Sequence, residues 1–162
     1  MQDVLFFDYL NCPIGVLKIT ASSEAITSIR FCEIISKRSK FSNPNKITSM
    51  AQKQLKEYFN HERTEFSLPL SPQRTPFQQK VWNALESIPY GKVSTYKEVA
   101  VMIGNSKAVR AVGNANSKNP ITIVIPCHRV IQSNGKLGGY AGGLYRKQWL
   151  LKHENPQKIF EN

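Results

Sequence analysis

"STYKEVAVMIGNSKAVRAVGNANSKN", Ser94 to Asn119, decides how the second half of this chain folds. The first part reads as a short helix, capped by Ser94 or Thr95 and stopped by Gly104. The second part reads as another short helix that starts near Ser106. Two short helices joined by a glycine-containing turn form a helix-turn-helix candidate. Upstream, "TPFQQKVWNALESI" reads as a helix with Thr75 as N-cap and Pro76 at its first position, and "PYGKV" as a turn. Downstream come an extended "ITIVIPCHRVI", a glycine-rich loop "SNGKLGGYAGG" and a last helix "LYRKQWLLKHE".

The proline-rich break "PLSPQRTPF" separates this half from a different first third. There "DVLFFDYL", "GVLKITAS" and "AITSIRFCEI" read as three strands, with turns at "CPIG" and "SSEA", and predict an antiparallel meander. A polar, basic loop "ISKRSKFSNPNK" follows. The helix "ITSMAQKQLKEYFNHE" carries Ile47, Met50, Ala51, Leu55, Tyr58 and Phe59 at helical spacing, and "EFSLPL" reads as one more short strand. The expected architecture is α+β or α/β. Residues 1–70 form a small antiparallel sheet-plus-helix scaffold, 71–76 a linker, and 77–162 a mostly helical, winged-helix-like domain.

The chain has 162 residues and a formal net charge of +11. Such an excess points to a polyanion, and to nucleic acid ahead of a membrane surface. Cys12, Cys32 and Cys127 make an odd count with no disulfide framework. The start "MQDVLFFDYL" has an early acid and too short an apolar run for a signal peptide, and no stretch approaches a membrane span. These features predict a soluble, cytoplasmic protein. Cys12, Cys32 and His61 are too scattered for a zinc site, and no cofactor fingerprint is present.

Chemistry concentrates at "IPCHRVI", Ile125 to Ile131. A lone cysteine is commonly a small buried hydrophobe. Here polar His128 and Arg129 follow an apolar run, and a glycine-rich loop comes next, as where a strand enters a site. Nearby positive charge favours a thiolate. Adjacent residues of an extended chain point to opposite faces, so His128 is not placed to take a proton directly from Cys127.

The order "RAVGNANSKNP…IPCHRVI…GGYAGG…LLKHE" resembles the O6-alkylguanine-DNA alkyltransferases, from about Thr75 to Glu154. The first third is similar mainly through "CPIGVLKI". The resemblance implies irreversible transfer of an alkyl group from guanine O6 in DNA to the protein's own cysteine, in a single turnover. It makes Cys127 the acceptor, with His128 reaching it through a water and Glu154 orienting the imidazole. It makes Tyr96 the proton donor to purine N3, and Val130, Tyr140, Ala141 and Gly142 parts of the base pocket. Ala141 stands where many relatives have serine. Asn119 resembles the asparagine that pins the helix-turn-helix against the active-site loop.

An alkylated base inside a duplex is hidden from a buried thiolate, so the nucleotide must be flipped out. Arg110 resembles the side chain that fills the vacated stack, on a helix with small residues at Ala108 and Gly113. Motif physics alone docks this helix in the major groove, whereas the resemblance implies the minor groove. Phe77, Thr95, Lys97, Asn105 and Ser133 match positions near the DNA backbone. The implied partner is double-stranded DNA carrying O6-alkylguanine, met by a monomer, with no metal or cofactor. Cooperative binding and activity on O4-methylthymine stay open. Bound to DNA, the protein would sit in the nucleoid. Two rival readings are a Cys-His hydrolase that turns over and a non-catalytic lesion binder, which would lack the acceptor cysteine.

Overall fold

The computed structural model describes residues 4–33 and 41–160. Two compact units divide between Gln73 and Arg74. In the first, strands β1 (Phe6–Cys12), β2 (Gly15–Ala21) and β3 (Ile26–Cys32) form an antiparallel sheet in the order β1-β2-β3. Half of the expected basic loop at 35–46, residues 35–40, lies outside the described residues. Leu17, Ile19 and Ala21 alternate on the buried face of β2, the period-2 pattern that pins register. On β3 the register shifts beside Thr20 and Ala21. Thr27 is thereby left over, so Ile26 and Ile29, three apart, both reach the core. Helix α1 (Lys46–Phe59) covers that face with buried Ala51, Leu55 and Tyr58. An Asn45–Thr48 capping box starts it. "EFSLPL" forms no strand; only Leu70 makes an isolated bridge, to Ile26.

In the second unit, helix α2 (Pro76–Glu86) begins with a reciprocal box between Thr75 and Gln78. A two-residue strand β4 (Ser94–Thr95) leads into helix α3 (Tyr96–Met102). Thr95 is the N-cap, and its box with Glu98 places Tyr96 at the first helical position. A turn through Gly104, at φ +77, connects to helix α4 (Val109–Ser117). Helix α4 starts three residues later than the sequence suggests, because 105–108 form a further turn closed by Ala108 N–H on the Asn105 carbonyl. Helices α3 and α4 pack on each other and on α2, where the Trp82 indole donates to the Ala115 carbonyl at 2.9 Å.

The expected extended run "ITIVIPCHRVI" is not extended. Residues 121–125 coil into tight turns, and Cys127–Arg129 make one turn of 3₁₀ helix. Asn119 explains this. Its side chain accepts from the Ile121 N–H at 3.0 Å and donates to the Ile125 carbonyl at 2.8 Å. One side chain thus closes both ends of the loop. Ile123 sits at φ +71 while only 1% exposed, so packing holds a β-branched residue in a costly conformation. Only β5 (Val130–Ile131) is strand, paired in parallel with β4. Helix α5 (Leu144–Glu154) closes the unit.

Candidate active site

The 3₁₀ turn puts Cys127, His128 and Arg129 at the centre of the second unit, all buried. Helix α5 supplies what they meet. Its inner stripe is Lys147, Leu150, Leu151 and Glu154, at spacings of three, four and seven, so two charges share a face with leucines. The His128 Nε2 lies 2.7 Å from Glu154 Oε1. Arg129 donates to the same carboxylate twice, Nε to Oε2 at 2.8 Å and Nη2 to Oε1 at 3.0 Å, and donates Nη1 to the Ile88 carbonyl at 2.6 Å. The Gly91 N–H adds a donor to Oε2 at 3.2 Å. Burial alone would raise the Glu154 carboxyl, but these partners outweigh it and hold the group well below the usual carboxylate range.

Burial pushes His128 below its ordinary value, against the pull of Glu154. The hydrogen bonding therefore assigns a neutral imidazole that donates from Nε2 to a carboxylate. Nδ1 has no hydrogen-bond partner among the described residues. Burial also pushes the Cys127 thiol up, while the Asn119 side chain, the Lys147 charge and Thr122 pull it down. At rest the sulfur is a thiol whose proton has to leave during reaction.

Beside this centre lies a cavity of about 600 Å³, a size that suits a small ligand. Tyr96, Val109, Arg110, Gly113, Asn116 and Ser117 line one side, and Gln132, Gly138, Gly139, Tyr140 and Ala141 the other. Gly138 has φ +73, and a Cβ there would lie 3.1 Å from both Cε2 and the hydroxyl oxygen of Tyr96. A bare backbone is what lets the loop come so close to the ring. Burial raises the Tyr96 hydroxyl, and the Cys127 charge adds to it. Tyr140 shares a 2.7 Å hydrogen bond with Thr122, and burial pushes its hydroxyl far above the usual range.

The other expected residues fall in known places. Val130 is fully buried, and its carbonyl accepts from Lys147 Nζ at 2.5 Å. The Gly142 carbonyl accepts from Arg146 at 2.9 Å. Lys97, Asn105, Arg110 and Ser133 are exposed, and Phe77, Thr95 and Ala108 half-buried. The cavity includes Arg110 and Gly113 but not Val130, Gly142, Phe77, Lys97, Asn105 or Ser133.

Sequence reasoning gave no part to Lys147, Asn116, Thr122 or Gly138, and passed over Arg129 as a polar neighbour. Lys147 is fully buried and also donates to the Gly139 carbonyl at 3.2 Å. It thereby ties the pocket loop to β5. The Asn116 amide donates to the Cys127 carbonyl at 3.4 Å. The legible signal was the α5 stripe: a lysine and a glutamate seven residues apart among leucines mark charges held inside.

Two family descriptions cover nearly the whole chain. Residues 5–72 match the ribonuclease-like domain, and residues 76–156 the DNA-binding domain, of 6-O-methylguanine DNA methyltransferase. A methylated-DNA–protein-cysteine methyltransferase of Methanosarcina barkeri is 44% identical over 153 residues, covering 93% of this chain and 97% of that one. The crystal structure of the Mycobacterium tuberculosis O6-methylguanine methyltransferase superposes with a TM-score of 0.85 at 41% identity, covering 98% and 97% of the two chains. The same organism's protein in complex with DNA gives 0.84 at 44%, covering 93% and 92%. The chain that buries this cysteine, histidine and glutamate together therefore belongs to the 6-O-methylguanine DNA methyltransferase family.

Proposed function

We propose that Cys127 is the residue on which this methyltransferase places the alkyl group it removes from guanine O6 in DNA. The observation that carries the assignment is the buried order Cys127, His128, Glu154, in which the imidazole donates from Nε2 and keeps an unpartnered Nδ1. A water between Nδ1 and the thiol satisfies both and carries the proton away. Sulfur then forms a bond to the alkyl carbon as the carbon–O6 bond breaks. The electron pair passes into the purine, and Tyr96 donates a proton to N3 of the leaving guanine. The Lys147 ammonium, 5.8 Å from the Tyr96 ring centroid, favours the negative charge that develops there.

The target base enters the cavity between Tyr96 on α3 and the Gly138–Ala141 loop. A duplex must give up the nucleotide for this, and Arg110, exposed on the cavity rim, fills the vacated stack. Helices α3 and α4 act as the helix-turn-helix, with α4 in the minor groove. Its cavity face at Val109, Gly113, Asn116 and Ser117 offers few long side chains to read major-groove edges. Lys97, Asn105 and Ser133 lie near the backbone, with Phe77, Thr95 and Ala108 beside them. The chain works as a monomer on DNA in the nucleoid. Among the described residues no helix is long and apolar enough to cross a membrane.

The thioether formed is a poor leaving group, so each chain accepts one alkyl group and stops. With methylated duplex in excess, repaired guanine plateaus at one per active chain. Mass spectrometry then finds one added methylene on the peptide containing "IPCHR". Continued repair without new protein, or a methyl on another residue, overturns the assignment. Cys127→Ser abolishes transfer and keeps DNA affinity within a few-fold.

A further inference from the structure

The relay through His128 needs a neutral imidazole before reaction, and a buried histidine 2.7 Å from a buried carboxylate is poorly suited to stay neutral. Left alone, such a pair takes up a proton. Imidazolium and carboxylate together carry no net charge, whereas a neutral imidazole leaves the carboxylate uncompensated in a poor solvent for ions. Glu154 already has a counter-ion. Arg129 grips both carboxylate oxygens, at 2.8 and 3.0 Å, and its remaining Nη1 is spent on the Ile88 carbonyl. One anion and one guanidinium cancel, so the cluster is neutral with no added proton on the ring. A proton on His128 would make it a cation, with the Lys147 ammonium facing it from α5.

Among the described residues, the charged groups that act on the ring are Glu154, Arg129 and Lys147. Cys127 and Arg129 flank it in the 3₁₀ turn, and Glu154 and Lys147 face it from α5. The Tyr90 ring stands 5.9 Å from the guanidinium. None supplies a second negative charge near the imidazole at rest, since burial raises both the Cys127 thiol and the Tyr90 hydroxyl.

We propose that Arg129 sets the protonation state of His128: by neutralising Glu154 it keeps the proton on Nε2 alone, leaving Nδ1 as the base that receives the Cys127 proton. Arg129 has no bond to the thiol in this arrangement and is a positioning residue, acting through Glu154. The inference rests on the assignment of Cys127 as acceptor and His128 as base. It explains why a residue two positions from the nucleophile spends its charge inward, on a carboxylate, and not on the sulfur.

The test reads the ring directly. Full-length protein labelled with ¹⁵N in its three histidine rings is followed by NMR against pH, with His128 assigned by the signal lost in His128→Gln. The wild type shows a neutral His128 with its proton on Nε2 through the neutral range. In Arg129→Gln, His128 becomes an imidazolium at neutral pH. Single-turnover transfer from methylated duplex then falls roughly tenfold for each pH unit by which its pKa exceeds the assay pH, and recovers in alkali. Arg129→Lys keeps the charge and restores a neutral ring. An imidazolium in the wild type, or a neutral ring in Arg129→Gln, overturns the proposal. Should Arg129→Gln fail to fold, the wild type and Arg129→Lys decide it, and an imidazolium in either is fatal. A wild type that transfers no methyl group to Cys127 removes the acceptor assignment, while the ring spectra still decide what Arg129 does.

Discussion

Tyr96 sits against Gly138 across the cavity, with no room to spare for a side chain at the glycine. An added methyl at Gly138 meets the tyrosine hydroxyl oxygen at 3.1 Å and is strained by φ +73 as well. Gly138→Ala should therefore displace the ring and slow transfer from methylated duplex by about tenfold or more, since small misplacements near reacting atoms are costly. Tyr96→Phe should also slow transfer, by loss of the proton alone, while DNA affinity measured by fluorescence anisotropy stays within a few-fold. An unchanged rate in Tyr96→Phe would remove the proton-donor role. Lys147 gives a pH signature. Burial lowers its ammonium to about 8, and the Cys127 charge pulls the other way. The unfolded chain holds that proton up to about 10.4, so between the two values it binds more protons than the folded chain. The stability contribution of Lys147 thus rises with pH across this window. Urea melts should show the rise, and Lys147→Met should remove it.

Helix α3 begins at Tyr96, which lines the cavity, so its cap also positions a cavity residue. Thr95 accepts from the Glu98 N–H at 3.1 Å, and the Glu98 carboxylate accepts from the Thr95 N–H at 2.6 Å. Thr95→Ala should cost about 1 kcal/mol, seen by thermal melting. It should also slow transfer, because fraying of the first turn moves Tyr96. The sequence left this cap open between Ser94 and Thr95, but the Thr75 cap of α2 and the three strands of the first unit were legible, because each rests on neighbours within a few residues. The segment 121–125 was not. Its β-branched run has strand composition, but β-branched residues form strand only where another strand pairs with them, and β4 reaches only Val130 and Ile131. Asn119 closes the loop with its own side chain instead, a choice that spacing alone does not reveal. The site divides the same way. Cys127 and His128 stand together in the sequence. Their union with Glu154, 26 residues on, and the double grip of Arg129 depend on how α5 docks. The family resemblance implied that Glu154 meets His128, whereas nothing in the residue spacing revealed the grip of Arg129.

At the scale of the whole molecule, the chain balances a surplus of +11 against a site whose charges nearly cancel. The surplus is therefore available to phosphates. Log affinity for duplex DNA should fall linearly with log salt as counterions are released, and a flat response would mean that the charge plays no part in binding. Reaction acts on the other side of this balance. Cys127 is only 5% exposed, and the turn that carries it and the loop before it are pinned to the end of α4 through Asn116 and Asn119 and to Ile88 through Arg129. A methyl on its sulfur has little room without moving one of these, and overpacking of this kind costs about 1–3 kcal/mol. The thioether also lacks the S–H of the free thiol, so the buried polar surroundings of Cys127 lose a donor. The reacted chain should therefore melt a few degrees below the free one. Calorimetry before and after stoichiometric reaction with methylated duplex, with the DNA removed, measures the difference. An equal or higher melting temperature would show that the site has spare room for the group it receives.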